Sequence, residues 1–263
     1  MEQTNDRAII TGGSRGIGRA VAEQLVTRGH DVLLVARNAE TLAQSTVALN
    51  ALGPGKAWWF ATDLTDQPTA AGEVVAYAER VMEGVPTLLL NGAGGASITG
   101  ALDASWTLWQ QDFSLKFWGY LAMMRAVLPK MMENRRGVIV NLVGVAGKDP
   151  NPTLAVASAV NGALRAVSKV LADEAKSAHV RVVNVNPGAT DTDLLVEMAR
   201  GIAARTHKDP AQVLAEMRQG APLGSLPTAW DVASLIVFLM SDAAGFITGT
   251  SIDIDGGAHR GLA

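Results

Sequence analysis

The chain of 263 residues is long enough for one or two domains, and its 48% hydrophobic content is ample for a buried core, which argues against disorder. A net charge of −3 gives no electrostatic footprint for nucleic acid or an anionic membrane. The chain has no cysteine, which excludes disulfides and thiolate catalysis, and its four histidines lack metal-ligand spacing, so we expect no metal site.

The start of the chain is polar and runs directly into an apolar stretch, without the pattern of a signal peptide. No apolar run reaches membrane-spanning length. We therefore expect a cytoplasmic protein that acts on a small molecule and binds neither membrane nor nucleic acid.

Short apolar runs alternate along the chain with longer segments of helical spacing. The runs predict strands at residues 7–10, 31–36, 57–62, 87–91, 137–142, 180–186 and 250–255, and helices are predicted at 15–28, 39–52, 67–82, 105–135, 152–178 and 229–241. Each run is too short for a helix and too apolar for a half-solvated strand, which favours a sheet covered on both faces. The alternation predicts one α/β domain over residues 1–263, with a doubly wound parallel sheet of about seven strands. Ligands of such sheets bind at the carboxyl ends of the strands.

Residues 194–224 fit this alternation poorly, because they lie between two predicted strands without forming a simple crossover. We interpret them as a helical insertion or lid rather than a second domain. Their mixture of apolar and basic side chains allows either an apolar substrate with an anionic end or an amphipathic helix with a solvated face.

The first predicted strand leads into a glycine-rich turn. Its sequence is Thr11-Gly12-Gly13-Ser14-Arg15-Gly16-Ile17-Gly18, and a helix follows. Glycines let the backbone approach a pyrophosphate, and the helix N-terminus stabilises it with free N–H groups. The alternative is a turn that needs glycine only for its own conformation, but the order of strand, turn and helix favours nucleotide binding.

The end of the second strand favours NADP(H) over NAD(H). NAD sites usually place an acid there to bind the ribose 2′-hydroxyl, whereas a 2′-phosphate needs cations. Neither Ala36 nor Arg37 is acidic, and Arg37 and Arg15 are placed to bind a phosphate. The alternative is that both arginines are solvated surface residues.

The order and spacing of several motifs resemble the short-chain dehydrogenase/reductase family over the whole chain. The motifs are the glycine turn, Asp63-Leu64, Asn91-Gly92-Ala93-Gly94, Asn186-Pro187-Gly188 with Thr192, and Ile247-Thr248-Gly249 with Asp255-Gly256-Gly257. The resemblance implies a Rossmann fold, an oxidoreductase and a homo-oligomer, either a dimer or a tetramer. It also implies that the cofactor contacts the following residues: Thr11, Gly12, Ser14, Arg15, Gly16, Ile17, Gly18, Arg37, Asp63, Leu64, Asn91, Ala93, Gly94, Asn161, Pro187, Gly188 and Thr192.

The catalytic residues usual in this family are not found in the sequence. Its members normally carry Tyr-x-x-x-Lys on the helix after the fifth strand, where the lysine lowers the pKa of the phenol that passes a proton to the substrate oxygen. This chain has two tyrosines, Tyr77 and Tyr120, and the residues four positions later are Val81 and Met124. The Tyr-x-x-x-Lys motif is therefore absent in every register.

Alignment to the family pattern predicts that all four catalytic positions are changed. Gly144 takes the position of the serine, Ala157 that of the tyrosine, Asn161 that of the lysine and Lys116 that of the asparagine. Loss of both hydroxyls is expected to leave space for a larger substrate or for water. Relative to the family pattern, lysine and asparagine thus look exchanged in position, with Lys116 in place of the asparagine and Asn161 in place of the lysine.

Two roles remain open for Lys116. Near the pocket it would have a depressed pKa and would act as acid, base or Schiff-base amine, whereas in a structural role it would cap backbone carbonyls or reach solvent. Lys148 and Asp149 are weaker candidates that suit a surface turn, and His259 and Arg260 suit a solvated tail or an oligomer contact.

Three functions follow from these observations. The first is a divergent NADP(H)-dependent oxidoreductase of a carbonyl or alcohol, in which water or Lys116 replaces the tyrosine as proton donor. The second is a non-redox lyase, hydratase or hydrolase that uses Lys116 or Asp149 in the old pocket. The third is a nucleotide-binding protein without catalysis.

Overall fold

A computed structural model describes residues 5–259, and its framework is a seven-stranded parallel sheet. The strands are β1 (Arg7–Thr11), β2 (Asp31–Ala36), β3 (Ala57–Ala61), β4 (Leu88–Asn91), β5 (Gly137–Leu142), β6 (Val180–Pro187) and β7 (Ser251–Ile254). Each agrees with its prediction to within one residue at either end. The apolar runs are buried because helices cover both faces of the sheet.

The strand order is β3-β2-β1-β4-β5-β6-β7. The chain moves outward from β1 to β3 and then returns to the other side of β1 with β4. Strands β1 and β4 therefore flank the point at which the direction of winding reverses. In such sheets the ligand crevice opens beyond the carboxyl ends of these strands.

The helices lie in two layers. They are α1 (Gly16–Thr27), α2 (Ala39–Asn50), α3 (Thr69–Val81), α4 (Trp106–Asp112), α5 (Gly119–Glu133), α6 (Ala155–Ala175), α7 (Asp193–Thr206), α8 (Pro210–Gln219) and α9 (Ala229–Met240). One core cluster joins α3, α5 and α6 to the sheet, and a second cluster on the opposite face joins α1, α2 and α9 to it. The doubly wound architecture expected from the sequence is confirmed. No helix within residues 5–259 has both the length and the apolar character of a membrane span.

The prediction of one uninterrupted helix over residues 105–135 is wrong. A π-helical segment, Phe113–Trp118, separates α4 from α5. The wider turn leaves the Ser114 carbonyl accessible, and Nε2 of Gln67 donates a 2.8 Å hydrogen bond to it. Such segments are frequent at functional sites, and this one contains Lys116.

The predicted insertion at 194–224 consists of two helices, α7 and α8. They pack together through a small cluster of Ala199, Ala203 and Val213, separate from the two main core clusters. Arg205 of α7 donates to the carbonyl of Ile98 and to Asp103, which places α7 against the loop after β4. Its role as a lid stays a prediction.

Candidate functional site

The glycine turn after β1 has the geometry of a phosphate cradle. Gly12 has a φ of +70°, and a Cβ there would lie 2.6 Å from the Gly92 carbonyl oxygen. A Cβ on Gly18 would lie 2.5 Å from the Gly12 oxygen, so neither position accepts a side chain. Helix α1, which begins with Gly16, Ile17 and Gly18, has no side-chain cap, so its first N–H groups are free to bind an anion.

Thr11 and Asn91 shape the crevice from beneath. Thr11 is fully buried, and its Oγ1 accepts hydrogen bonds from the N–H groups of Gly92 and Ala93. Asn91 is equally buried and donates to Asn141. The Thr11 side chain thus joins the end of β1 to the loop after β4, and the Asn91 side chain joins β4 to β5. Contact of either residue with a cofactor stays a prediction.

The two arginines predicted to bind a 2′-phosphate have different surroundings. Arg37 is exposed and has no hydrogen-bond or ion-pair partner within residues 5–259. Arg15 is also exposed, but its guanidinium lies 2.9 Å from Glu197 and 3.8 Å from Asp193 of α7. Arg15 therefore ties the glycine turn to the candidate lid, and a phosphate would compete with these carboxylates.

Other predicted cofactor residues line the same edge of the sheet. Asp63 is exposed after β3 with its Oδ1 accepting from the Thr65 N–H, whereas Leu64 is buried in the core. The Ser14 carbonyl accepts from Ser45 of α2. Contact of these residues with a cofactor stays a prediction.

The loop between β6 and α7 provides the opposite side of the crevice. Pro187 ends β6, and a Cβ on Gly188 would lie 2.7 Å from Cβ of Asp255, so this glycine is required for packing. Thr192 precedes α7, and its hydroxyl donates to the Thr190 carbonyl. Contact of these residues with a nicotinamide stays a prediction.

Lys116 and Asn161 form a hydrogen-bonded pair. Nζ of Lys116 donates to Oδ1 of Asn161 at 2.8 Å and to the carbonyl of Val143 at 2.7 Å. Burial lowers the pKa of Lys116 to about 8, although attraction to Asp112 acts in the opposite direction. The amine thus bonds a backbone carbonyl, as the structural interpretation expects, and it also lies in the pocket, as the catalytic interpretation requires.

A small cavity lies in front of this amine. Its lining consists of Gly94, Gly95, Asp112, Leu115, Lys116, Ala157 and Val160. The space beside Ala157 amounts to about 10 Å³, which is room for no more than about one water molecule and not for a larger substrate, and Gly144 is closely surrounded. A Cβ on Gly144 would lie 3.2 Å from Nδ2 of Asn161, and its φ of +106° is unfavourable for any residue with a side chain.

Neither tyrosine lines this cavity. Tyr120 is fully buried in the core, where its hydroxyl donates to the Leu142 carbonyl, and burial raises its pKa far above the usual value. Tyr77 packs against Phe60 and Arg80. A phenol therefore does not supply a proton here.

Sequence reasoning missed Asp112 and Ser97. Asp112 lines the cavity with Lys116, and its Oδ2 accepts a 3.1 Å hydrogen bond from Ser97. Desolvation raises the pKa of Asp112, opposed by the Ser97 bond and the charge of Lys116. The spacing of four residues between Asp112 and Lys116 was the available signal, because residues so spaced share a helix face.

His259 is mostly buried, so the expectation of a solvated side chain is wrong for it, and the alternative of an oligomer contact stays a prediction. Its Nδ1 lies 2.6 Å from Asp255 and its Nε2 lies 3.0 Å from Nζ of Lys148, which in turn binds Asp253 at 2.7 Å. Lys148 therefore connects the loop after β5 to β7 and the tail, and does not lie in a free surface turn. Asp149 is exposed, as expected. Arg260 lies outside the described residues.

Known proteins resemble this chain along its length. L-sorbose reductase from Gluconobacter frateurii, solved with NADPH and L-sorbose, matches with a TM-score of 0.90 and 26% identity, and the match covers 100% of both chains. The fold of YwfH, an NADPH-dependent reductase of bacilysin biosynthesis, matches with a TM-score of 0.91 at 23% identity over 98% of this chain and all of the other.

Curated relatives are also oxidoreductases by name. The uncharacterised oxidoreductase YvrD of Bacillus subtilis is 32% identical over 97% of this chain and 96% of its own length. The 2-(S)-hydroxypropyl-CoM dehydrogenase 3 of Xanthobacter autotrophicus is 30% identical over 96% of each chain. The family model for short chain dehydrogenases matches residues 6–203. With a phosphate cradle at the switch point of a doubly wound sheet, this chain belongs to the short-chain dehydrogenase/reductase family of oxidoreductases.

Proposed function

We propose that this protein is a divergent NADP(H)-dependent oxidoreductase of a carbonyl or alcohol substrate, in which Lys116 replaces the family's tyrosine as proton donor. The observation that carries this proposal is the buried Lys116 amine, which lies beside Ala157, is held by Asn161, and has a pKa near 8. A group of that pKa exchanges protons readily at neutral pH.

The cofactor side of the site fits a dinucleotide. Two glycines exclude side chains from the turn, and the uncapped start of α1 offers N–H groups to a pyrophosphate. Arg37 is exposed and unpartnered within the described residues, and no acid stands at the end of β2 to bind a 2′-hydroxyl. NADPH in the related sorbose reductase adds support for NADP(H).

The N–H donors of the Lys116 ammonium group support its proposed role in proton transfer. An ammonium group has three N–H donors, and Lys116 uses two of them on Val143 and Asn161. The third is free to bind a substrate oxygen in the cavity. Fixed acceptors on two sides hold the amine in place, so little reorganisation is needed when charge develops on that oxygen.

NADPH, if bound by the glycine turn and Arg37, would supply a hydride for the carbonyl carbon, and Lys116 would give the proton to the carbonyl oxygen. The neutral amine then recovers its proton from solvent. In the oxidation direction the neutral amine accepts the alcohol proton. Oδ1 of Asn161 accepts a hydrogen bond from the amine in both directions of the reaction, so the role of Asn161 is to orient Lys116.

A second candidate uses the same amine as a nucleophile. A lysine whose pKa lies near 8 is partly unprotonated at neutral pH and attacks carbonyls to form a Schiff base. A non-redox lyase would follow from that chemistry. Borohydride trapping of a carbonyl compound on Lys116 would favour this candidate, and failure to trap would favour the oxidoreductase.

The test of the proposed function is transfer of deuterium from [4-²H]NADPH. Substrates are chosen from the classes that relatives' names contain: a sugar ketone, a cyclic diol in its oxidised form, and a 3-oxoacyl thioester. We expect one class to take up deuterium at the carbonyl carbon. NADPH binding without transfer to any of them contradicts the proposal and favours a non-catalytic nucleotide-binding protein.

The remaining sequence predictions belong to this proposal. We propose that α7 and α8 cover the substrate, that the protein acts in the cytoplasm, and that it assembles as a homo-oligomer. Ion pairing between Arg15 and Glu197 supports a connection between cofactor binding and the position of α7.

A further inference from the structure

A second cavity opens at the amino ends of the strands, at the edge of the sheet opposite the glycine turn. Its volume is about 300 Å³, at the lower end of the range for sites that hold small molecules. Strands β1, β4, β5 and β6 begin beside it. The ionisable side chains of its lining are Asp6, Arg135, Arg136, His179, Arg181 and Asp242.

The strand register brings basic side chains together at this edge. Gly137 at the start of β5 pairs with Val180 at the start of β6. Arg136 and His179 directly precede this pair, so they lead into neighbouring strands side by side. Three arginines against two aspartates leave the lining with a net positive charge, although the whole chain carries −3.

Arg181 is the buried arginine of the cavity. Its guanidinium donates to the carbonyls of Ser241, at 3.0 Å, and Ile247, at 3.3 Å. A guanidinium has five N–H donors, so three of them remain for a ligand. The two carbonyls hold the group in one orientation, which lowers the entropic cost of binding to it.

Arg135 is the exposed arginine that has no partner. Within residues 5–259 its side chain makes no hydrogen bond or ion pair. The residue follows α5 with a φ of +52°, a conformation in which glycine is usual after a helix. Its side chain is therefore not needed for the local backbone and is available to bind an anion.

The two carboxylates of the lining add hydrogen-bond acceptors. Oδ1 of Asp6 accepts from Arg136 at 2.7 Å and from Thr87 at 2.9 Å. Its Oδ2 lies 3.9 Å from His30, beyond hydrogen-bond distance. The Asp242 side chain accepts no hydrogen bond within the part of the chain that the structure describes. A ligand that carries hydroxyl groups as well as an anion would match both kinds of group.

We propose that this cavity is a second binding site, which binds a small phosphomonoester that carries hydroxyl groups. Arg135 and Arg181 bind the phosphate, whose three terminal oxygens accept from the fork of a guanidinium. Asp6 and Asp242 accept from the hydroxyl groups. The site does not depend on the proposed function, because the glycine turn and the Lys116 cavity lie at the other edge of the sheet.

The probe for this site is glycerol 3-phosphate, titrated by calorimetry into the full chain with and without saturating NADPH. We expect saturable binding in both cases, since a cofactor at the glycine turn does not occupy this cavity. Labelling the four histidines with ¹⁵N locates the probe. The ring signals of His179, assigned with His179→Asn, should move on binding, because asparagine also tolerates the φ of +59° at this position.

Variants of the lining test the role of the arginine. Arg135→Gly should fold normally because of its positive φ, and should weaken binding at least about tenfold, or about 1.4 kcal/mol. Glu83→Gly is the matched control: it makes the same exchange at a φ of +53° outside the lining and should leave the affinity unchanged. Arg135→Asn, which also tolerates this conformation, gives the same comparison if the glycine variant does not fold.

Undiminished affinity in a folded Arg135 variant would overturn the inference, as would the lack of saturable binding at millimolar concentrations. Binding that NADPH abolishes without any change at His179 would place the probe at the glycine turn and contradict the second site. Glycerol should not bind, and inorganic phosphate should bind more weakly than glycerol 3-phosphate; equal affinities would contradict the role of the carboxylates. Absence of deuterium transfer would refute the proposed function and leave these results unchanged.

Discussion

The Lys116 amine lies 2.8 Å from the side-chain oxygen of Asn161, so the two residues that look exchanged relative to the family pattern form one hydrogen-bonded pair. Loss of Asn161 removes one of the two acceptors of the Lys116 amine, and loss of Lys116 removes this donor from Oδ1 of Asn161. We expect Asn161→Ala to lower the free energy of unfolding by about 1–3 kcal/mol.

A double-mutant cycle measures how much of that cost comes from the pair. With Lys116→Met as the second variant, denaturant unfolding should give a coupling energy between about 0.5 and 3 kcal/mol. Strictly additive effects would show that the hydrogen bond contributes nothing to stability.

The depressed pKa of Lys116 predicts how stability depends on pH. The folded-state pKa is about 8, below the ordinary 10.5, so the unfolded chain binds more protons between these values. The contribution of Lys116 therefore becomes more favourable as pH rises from about 8 to 10.5. Relative to Lys116→Met, the free energy of unfolding of the wild type should increase by on the order of 3 kcal/mol across this pH range. Parallel stability curves for the two proteins would contradict the depressed pKa.

The conformation of Gly144 predicts that the serine usual in this family cannot be restored without strain. Its φ of +106° and the 3.2 Å approach of a Cβ to Asn161 make Gly144→Ser strained. We expect this change to lower the free energy of unfolding by about 1–3 kcal/mol, measured by denaturant unfolding. A fully stable Gly144→Ser protein would mean that the loop adapts freely.

Exposed Arg37 predicts a preference for NADP(H). We expect NADPH to bind at least about tenfold more tightly than NADH, which corresponds to about 1.4 kcal/mol, less than one charge-assisted hydrogen bond supplies. The Arg37→Ala variant should lose most of this preference, and titration calorimetry with both cofactors measures it. Arg135→Gln, at the opposite edge of the sheet, is the control, and equal affinities for both cofactors in the wild type would remove the argument.

Much of the architecture was predictable because buried parallel strands leave a direct trace in the sequence. Apolar runs predicted all seven strands, and the glycine turn identified the crevice. The π-helical segment around Lys116 was not predictable, since apolar spacing does not distinguish it from an α-helix, and its contact with Gln67 joins residues distant in sequence. The same limit applies to the tail, where His259 contacts Lys148, a residue distant in sequence.

The predicted cofactor residues show a further limit. Motif spacing places Thr11 and Asn91 at the carboxyl ends of β1 and β4, but spacing does not tell how deeply a side chain is buried, and both side chains are fully buried. Asp112 was missed because its importance depends on the cavity that it shares with Lys116.

The central claim is that Lys116 supplies the proton, and the pH dependence of single-turnover hydride transfer tests it most directly. With a substrate identified by deuterium uptake, the reduction rate of the wild type should fall as pH rises through about 8, where the ammonium is lost. Lys116→Met, which keeps most of the volume, should bind NADPH normally, lose about 10²- to 10⁴-fold in rate, and show no such titration. A Lys116→Met protein that transfers hydride at the wild-type rate with the same pH profile would contradict the account.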